Sequence, residues 1–373
     1  MKQKIDRLQY FFMIPSLLFG KAIGITSGVI VRKIGSDVWV AMIIGFIFGT
    51  IAAILMAYIC SKFPEKTMVE FAEDLFGKWI AKLIALILAV YFAYAYAVSA
   101  NVMTLHLKEY FLPETPFIVL CIVYTVLCTY GVIMGAEVVI RFSFFGFFML
   151  WAINITMILG TLADFRILNI FPIFDKGIKA NITSSIYVFC DTAMAILAIG
   201  MIYPMLNNKK KSVSITLGAM IAGAISVIIW PFFEIAVLGA EVMKQFVVVC
   251  MQQVRSAQLT RYLPRYELIM VSFFVWSLYV QSVLMFWGSD YCIKRIVGIK
   301  KGKLVAYLLT PILIWLTNYL GHDHQVYIGF LNAPWAQVST ALGVGLPILF
   351  LIAVTFKEMR NKHRKKKTKQ NQD

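Results

Sequence analysis

Two ionisable residues stand out against an apolar background. Lys21 lies in FGKAIGITSG (19–28) and Asp191 in NITSSIYVFCDTAMAILAIG (181–200). Each falls well inside a run long enough to cross a membrane, the first from Leu8 to Val31 and the second from 182 to 206. A charge at the bilayer centre costs about 2.5–3.5 kcal/mol on insertion scales, so such residues need partners and mark ligand or ion pathways. Lys21 also stands among Gly20, Gly24 and Gly28. Glycine lowers the cost of leaving helical geometry. Where a membrane helix unwinds, its freed N–H and C=O groups must find protein, water or ligand, and the two half-helix ends offer opposite partial charges. The chemistry expected here is capture of a small zwitterion at a broken helix. Lys21 and Asp191, with Thr192 beside it, would flank the pocket, either paired directly or each facing one end of the ligand. Plainer readings compete. The three glycines form a small-xxx-small spacing that by itself lets helices pack closely. A shifted register would let Lys21 reach the interface, and a later start would make Asp191 a cap of its span.

The elements that must position these residues are membrane helices. Of 373 residues, 60% are hydrophobic and only 14% charged, with mean hydropathy +0.79; a soluble domain carries about a quarter charged residues. Runs of roughly 20 apolar residues recur along the chain, each able to cross a core of about 30 Å. A β-barrel would show alternating segments of about ten residues instead. Ten spans are expected, at 8–31, 37–61, 79–107, 116–134, 138–161, 182–206, 213–240, 267–291, 303–320 and 335–356. The first run is too long for a cleavable signal and lacks a small-residue cleavage site. The fold class is therefore all-α, a polytopic protein of ten transmembrane helices. Ten divides into five plus five, repeat one over 8–161 and repeat two over 182–356. An odd number of spans per half inverts the second half relative to the first, the plan of many transporters. If span one is broken, span six should be too, and Asp191–Thr192 is the interruption it offers.

The net charge of +16 does not point to nucleic acid, because its placement follows the membrane. With the N-terminus (1–7) inside, 24 of the 35 Lys and Arg lie at inner segments and 10 at outer ones, an excess that orients the chain with both termini inside. The basic tail, 357–373, reads as a cytoplasmic anchor near anionic lipid. The stretch FPEKTMVEFAEDLFGKW reads as an interfacial amphipathic helix ending at Gly77. The partly apolar 241–265 segment reads as an outer lid of short helices, and LPETP (112–116) as a rigid outer turn. Glu234 follows Trp230–Pro231 inside span seven and could carry a proton. His322 and His324 in GHDHQ are too few for a metal site. Six scattered cysteines suit packing. No phosphate loop, HExxH or nucleophile triad is present, so neither catalysis nor a cofactor is expected.

The chain resembles, from about 8 to 356, the B subunit of bacterial spore germinant receptors, a family within the amino acid–polyamine–organocation transporter superfamily. The resemblance rests on IGSDVW before span two, FPEKTMVEFAEDLFGKWIAKLIALILAVYF, LPETP, YGVIMGAEVVIRF, IYPMLNNKKK after span six and RYELIMVSFFVW opening span eight. It implies a five-plus-five inverted repeat with broken helices one and six. It further implies a role in sensing a nutrient germinant, often an amino acid, at the inner membrane of the spore, together with an A-type membrane subunit and a C-type lipoprotein. By position it implies a pocket using the backbone at Gly20, span three near Tyr91 and Ala95, span six from Asp191 to Ile196, and Gln281 and Ser282 of span eight. Lys21 departs from the family, which often has a small residue there, and CDTAMAI lacks the glycine many relatives keep. The germinant is therefore not inherited from relatives. An amino-acid or amine transporter is the competing reading.

If Lys21 and Asp191 are partners, either single neutral replacement leaves a lone buried charge, a loss of about 3–5 kcal/mol. Lys21→Met with Asp191→Asn is then expected to lose less stability in thermal unfolding than either single change, because neither charge is left unpaired. A purely additive loss would separate the two residues.

Overall fold

In hydrocarbon a spanning segment must satisfy its own backbone, so apolar runs of this length become helices. The computed structural model describes residues 4–20, 24–256, 266–299 and 302–370. These are almost wholly helical, and the one β contact among them is a single bridge between Ile5 and Leu206. Span one is divided into α1 (Arg7–Phe19) and α2 (Thr26–Ile34). There follow α3 (Val38–Lys62), the short α4 (Met68–Phe76), α5 (Lys78–Tyr110), α6 (Phe117–Met134) and α7 (Ala136–Thr161). The second half comprises α8 (Gly177–Ser184), α9 (Ile186–Ile202), α10 (Ser212–Leu238), the short α11 (Ala240–Met243) and α12 (Val249–Ser256), α13 (Tyr266–Val297), α14 (Leu304–Gly321), α15 (His324–Phe330) and α16 (Ala336–Gln370).

Nine helical stretches among the described residues are long and apolar enough to cross a membrane, the first running from Thr26 through α2 and α3 to Lys62. The tenth crossing is α1 with α2. Their 13 and 9 residues, about 20 and 14 Å at 1.5 Å per residue, are each too short alone. The packing repeats between the halves. The first span lies on α10 as α9 lies on α3, and on α7 as α9 lies on α16, while α5 pairs with α13 and α6 with α14. These are the swapped and self-matched pairs that a five-plus-five inverted repeat requires. The outer flanks expose Val123, Val126 and Tyr130 on α6, Phe144, Phe148 and Leu159 on α7, and Leu308, Ile312 and Trp315 on α14. That continuous apolar surface suits lipid and would be a liability in water.

Two spans depart from the sequence expectation. Span six is interrupted at Ser185, a single turn residue between α8 and α9, and Asp191 and Thr192 lie inside continuous α9. The reason is local. Ser185 Oγ donates to Ile182 O at 2.7 Å, a local hydroxyl bond that competes with helix propagation. The stretch after Asp191 is rich in alanine, methionine and leucine, all good helix formers. Thr192 returns its own hydroxyl to Phe189 O at 2.7 Å and needs no break. Span ten begins about ten residues earlier than its apolar run. Asp323 caps α15 by accepting from the Gln325 amide at 2.7 Å, and a π-helical turn, Leu331–Trp335, joins α15 to α16.

The amphipathic helix before α5 forms as expected. α4 carries a reciprocal cap, the Thr67 amide donating to Glu70 Oε2 at 2.9 Å and the Glu70 amide to Thr67 Oγ1 at 3.4 Å, and it stops at Gly77, whose φ of 85° suits glycine. The short helices expected over the 241–265 lid segment are present as α11 and α12; its 257–265 part lies outside the described residues. All six cysteines are buried and none forms a disulfide.

Close packing of α3 on α9 depends on small residues. A Cβ at Gly49 would lie 2.4 Å from Thr192 Oγ1, and one at Gly45 2.5 Å from Val188 Cβ. Gly49→Ala is expected to destabilise by about 1–3 kcal/mol through overpacking, read as a lower Tm in detergent. Adding Thr192→Gly should recover part of that loss, and no recovery would place the strain elsewhere.

Candidate functional site

The break between α1 and α2 leaves two half-helix ends buried in the bundle, and side chains of other helices serve them. At the end of α1, Ser277 Oγ donates to Ser16 O at 2.8 Å and Gln281 Nε2 donates to Leu17 O at 3.0 Å, both from α13. Gly20 is what lets α13 come so near. A Cβ there would sit 2.1 Å from Gln281 Oε1 and 2.7 Å from Leu278 Cδ2. At the start of α2, Thr26 Oγ1 donates to Asp191 Oδ2 at 2.9 Å. The carboxylate is thus held beside a helix N-terminus, where negative charge is favoured. Asp191 is only 5% exposed.

Between the break and α9 lies a cavity of about 20 Å³. Gly24 and Thr26 line it from the break, Cys190 and Asp191 from α9, and Tyr327 and Trp335 from span ten. Its volume is that of roughly one water. Tyr327 donates to Val98 O at 3.1 Å, tying span ten to α5. Tyr91 stacks on Trp335 with ring centroids 5.2 Å apart and planes 9° from parallel. Behind it the Tyr91 and Ser339 hydroxyls are buried neighbours, and Trp335 Nε1 is buried with no hydrogen-bond partner among the described residues. Buried polar atoms without partners are rare and call for an explanation. Of these residues Trp335 lines the cavity together with Asp191, a pairing of an indole and a carboxyl that suits recognition of a small polar molecule.

Of the residues expected from sequence, the fold brings Gly24 and Asp191 to the cavity and puts Tyr91 behind it, against Trp335. Gly20 and Gln281 meet one another at the end of α1. Ala95 is buried in α5, its carbonyl accepting from Ser99 Oγ at 2.9 Å. Two others point elsewhere. Thr192 packs on Gly49 of α3, and Ser282 accepts from the Tyr124 hydroxyl at 3.0 Å on the side of α6. Lys21 lies outside the described residues, as does its pairing with Asp191. The sequence reading missed Thr26, Tyr327 and Trp335. None of the three carried a local signal in the sequence; the π-helical turn Leu331–Trp335, of a kind that concentrates at functional sites, is visible only in the fold.

Both ends of the bundle are closed over this point. At the lid end, Arg32 of α2 donates to Lys244 O at 3.0 Å and Phe246 O at 2.8 Å. Gly28 approaches the same segment so closely that a Cβ would meet Val247 O at 2.9 Å. At the opposite end, Thr67 of α4 bonds the Tyr291 hydroxyl of α13 at 3.2 Å. Lys209 pairs with Glu65, and Arg295 lies 3.6 Å from both Glu70 and Glu73. Tyr10 and Thr216 join α1 to α10 at 2.9 Å.

Comparison with known proteins follows the same lines. The profile of the family described as "Spore germination protein" matches residues 4–326. Among curated relatives, Spore germination protein KB of Bacillus subtilis (strain 168) is 25% identical over 99% of both chains. GerQB of Bacillus cereus is 24% identical over 94% of this chain and 95% of its own. Among solved structures, a nucleobase–cation-symport-1 family transporter, closed with bromovinylhydantoin bound, superposes with a TM-score of 0.67 over 95% of this chain and 93% of its own at 12% identity. A Na⁺-coupled sialic acid symporter does so at 0.53, covering 93% and 85%, at 14% identity. At such identities these two likenesses speak for the fold alone. The chain belongs to the spore germination protein family, as a multi-pass membrane protein related in fold to transporters.

Proposed function

We propose that this chain is the germinant-sensing subunit of a receptor in the spore inner membrane, and that it binds a small nutrient, an amino acid, at the break of span one. The observation that carries the reading is the meeting of Asp191, the N-terminus of α2, Tyr327 and Trp335 around one small cavity. A carboxylate suits a ligand ammonium, and the Trp335 indole N–H, without a partner among the described residues, suits a ligand carboxylate. The cavity is far smaller than an amino acid, so binding must widen it and move the helices that close it. A ligand shifts such an equilibrium only by its differential affinity for the two arrangements. Partner subunits, an A-type membrane protein and a C-type lipoprotein, would read the shift. Both termini lie on the inner side, and the ligand enters under the lid.

The fold likeness to transporters favours a second reading, in which the same closure proceeds to release on the far side. One preparation separates the two. Labelled amino acids are tested for equilibrium binding in detergent and for counterflow in liposomes. Saturable binding without flux is the expected result, and saturable flux would make the chain a carrier. Asp191→Asn is expected to weaken binding by about 10- to 100-fold, the worth of a hydrogen bond to a charged group. Wild-type affinity in that variant would move the site away from α9.

A further inference from the structure

The wall of the cavity beside Asp191 is not uniform. Among the described residues that line it, Thr26, Tyr187 and Leu331 keep partial exposure and the others are buried. Its outward side is therefore made by these three. Thr26 is turned to Asp191, its hydroxyl donating at 2.9 Å. Leu331 belongs to the π-helical turn, and its side chain has no polar atom. Tyr187 is the largest of the three and the one that a charged group holds. Lys33, exposed on the last turn of α2, donates to the Tyr187 hydroxyl, and its Nζ lies 4.3 Å from the ring centroid.

Tyr187 takes this place because span six is interrupted just before it. α8 ends at Ser184, Ser185 makes the turn, and Tyr187 stands in the first turn of α9. Cys190, three residues on, lies on the same face of that helix. Its thiol donates to Tyr187 O at 2.9 Å, lines the cavity and is 3% exposed. Lys33 comes from the other half of the molecule. α2 begins at the cavity and ends at the lid, where Arg32, the residue before Lys33, donates to Lys244 O and Phe246 O. The bond from Lys33 to Tyr187 thus ties broken span one to broken span six on the lid side of the cavity.

An ammonium this close to an aromatic ring is attracted by its quadrupole, and a hydrogen bond from a charged donor is stronger than a neutral one. We propose that Tyr187 is the gate of the cavity on the lid side and that Lys33 is its latch. With the bond made, the ring covers a space of about 20 Å³, room for about one water. With the bond broken, the ring turns to another χ1 rotamer, a change that needs no shift of either helix, and the cavity opens toward the lid. Arg32 fixes the lid segment and Lys33, next in the chain, fixes the ring, so a movement of the end of α2 acts on both closures. As a gate on a ligand site this inference rests on the reading of that cavity given above. Its test reads access without a ligand, so its failure and the failure of the binding assay are separate results.

The thiol behind the ring supplies the readout. All six cysteines are buried and none forms a disulfide, so modification by a thiol reagent reports access. The full chain in nanodiscs is treated with 2-aminoethyl methanethiosulfonate, and mass spectrometry follows each cysteine separately. Lys33→Met keeps the apolar stem and removes the ammonium. It is expected to speed modification of Cys190 by about 10- to 100-fold, the worth of a hydrogen bond to a charged group, with Cys60, Cys128 and Cys250 unchanged. Tyr187→Ala removes the ring and should be faster still. Adding Lys33→Met to it should change nothing further, because the latch then holds nothing. If Tyr187→Ala folds poorly, Tyr187→Phe, which keeps the ring and loses the hydroxyl, should speed Cys190 by a smaller factor. A wild-type Cys190 rate in Lys33→Met, or a further gain from Lys33→Met in the Tyr187→Ala background, overturns the proposal. An equal gain at every cysteine overturns it as well, since Lys33 would then be a general prop of the fold.

Discussion

The constraint on which the rest depends is that a helix interrupted inside a water-poor bundle must still have its backbone groups satisfied. α1 stops at Phe19 and α2 starts at Thr26, so carbonyls and amides are freed at depth. Hydrocarbon offers them nothing. The protein answers with α13, whose Ser277 and Gln281 serve the carbonyls of Ser16 and Leu17, and with α9, whose Asp191 takes the hydroxyl at the start of α2. Those contacts fix which helices surround the break. The site is a consequence of the repair.

Reaching the break demands close approach, and small residues supply it. Gly20 admits Gln281, Gly28 admits the backbone of the lid segment, and Gly45 and Gly49 let α3 lie on α9. Between membrane helices there is no hydrophobic drive to association, so dispersion contact and interhelical hydrogen bonds must hold the bundle. The opening glycines therefore have two jobs at once. Gly20 permits both the end of α1 and the contact with α13, and Gly28 lies inside α2 yet touches the lid.

Closure at both ends follows from different physics. The lid end is latched by one guanidinium on backbone carbonyls. The other end is held by exposed ion pairs, each worth little alone, together with buried hydroxyl pairs such as Tyr10 with Thr216. A cavity of about 20 Å³ between two such closures has room for about one water, and anything larger could enter only if the helices moved.

The amino-acid sequence by itself determined the membrane class, the ten spans and the five-plus-five division, because hydropathy and segment length are properties of each segment alone. It also marked Gly20, Gly24 and Asp191, since glycine and charge in an apolar run are anomalies without any neighbour. Tertiary structure alone decided which anomalies meet. Asp191 serves Thr26 from inside an unbroken helix, because the break of span six lies at Ser185, where a local hydroxyl bond interrupts the turn. Thr192, next in sequence, faces α3, since adjacent helical residues point about 100° apart. Tyr327 and Trp335 enter the site because a π-helical turn carries span ten past its apolar run, and polar caps hide that extension from hydropathy. Which side chains share a cavity depends on helix rotation and register. Contacts between distant segments set both, and no single segment records them.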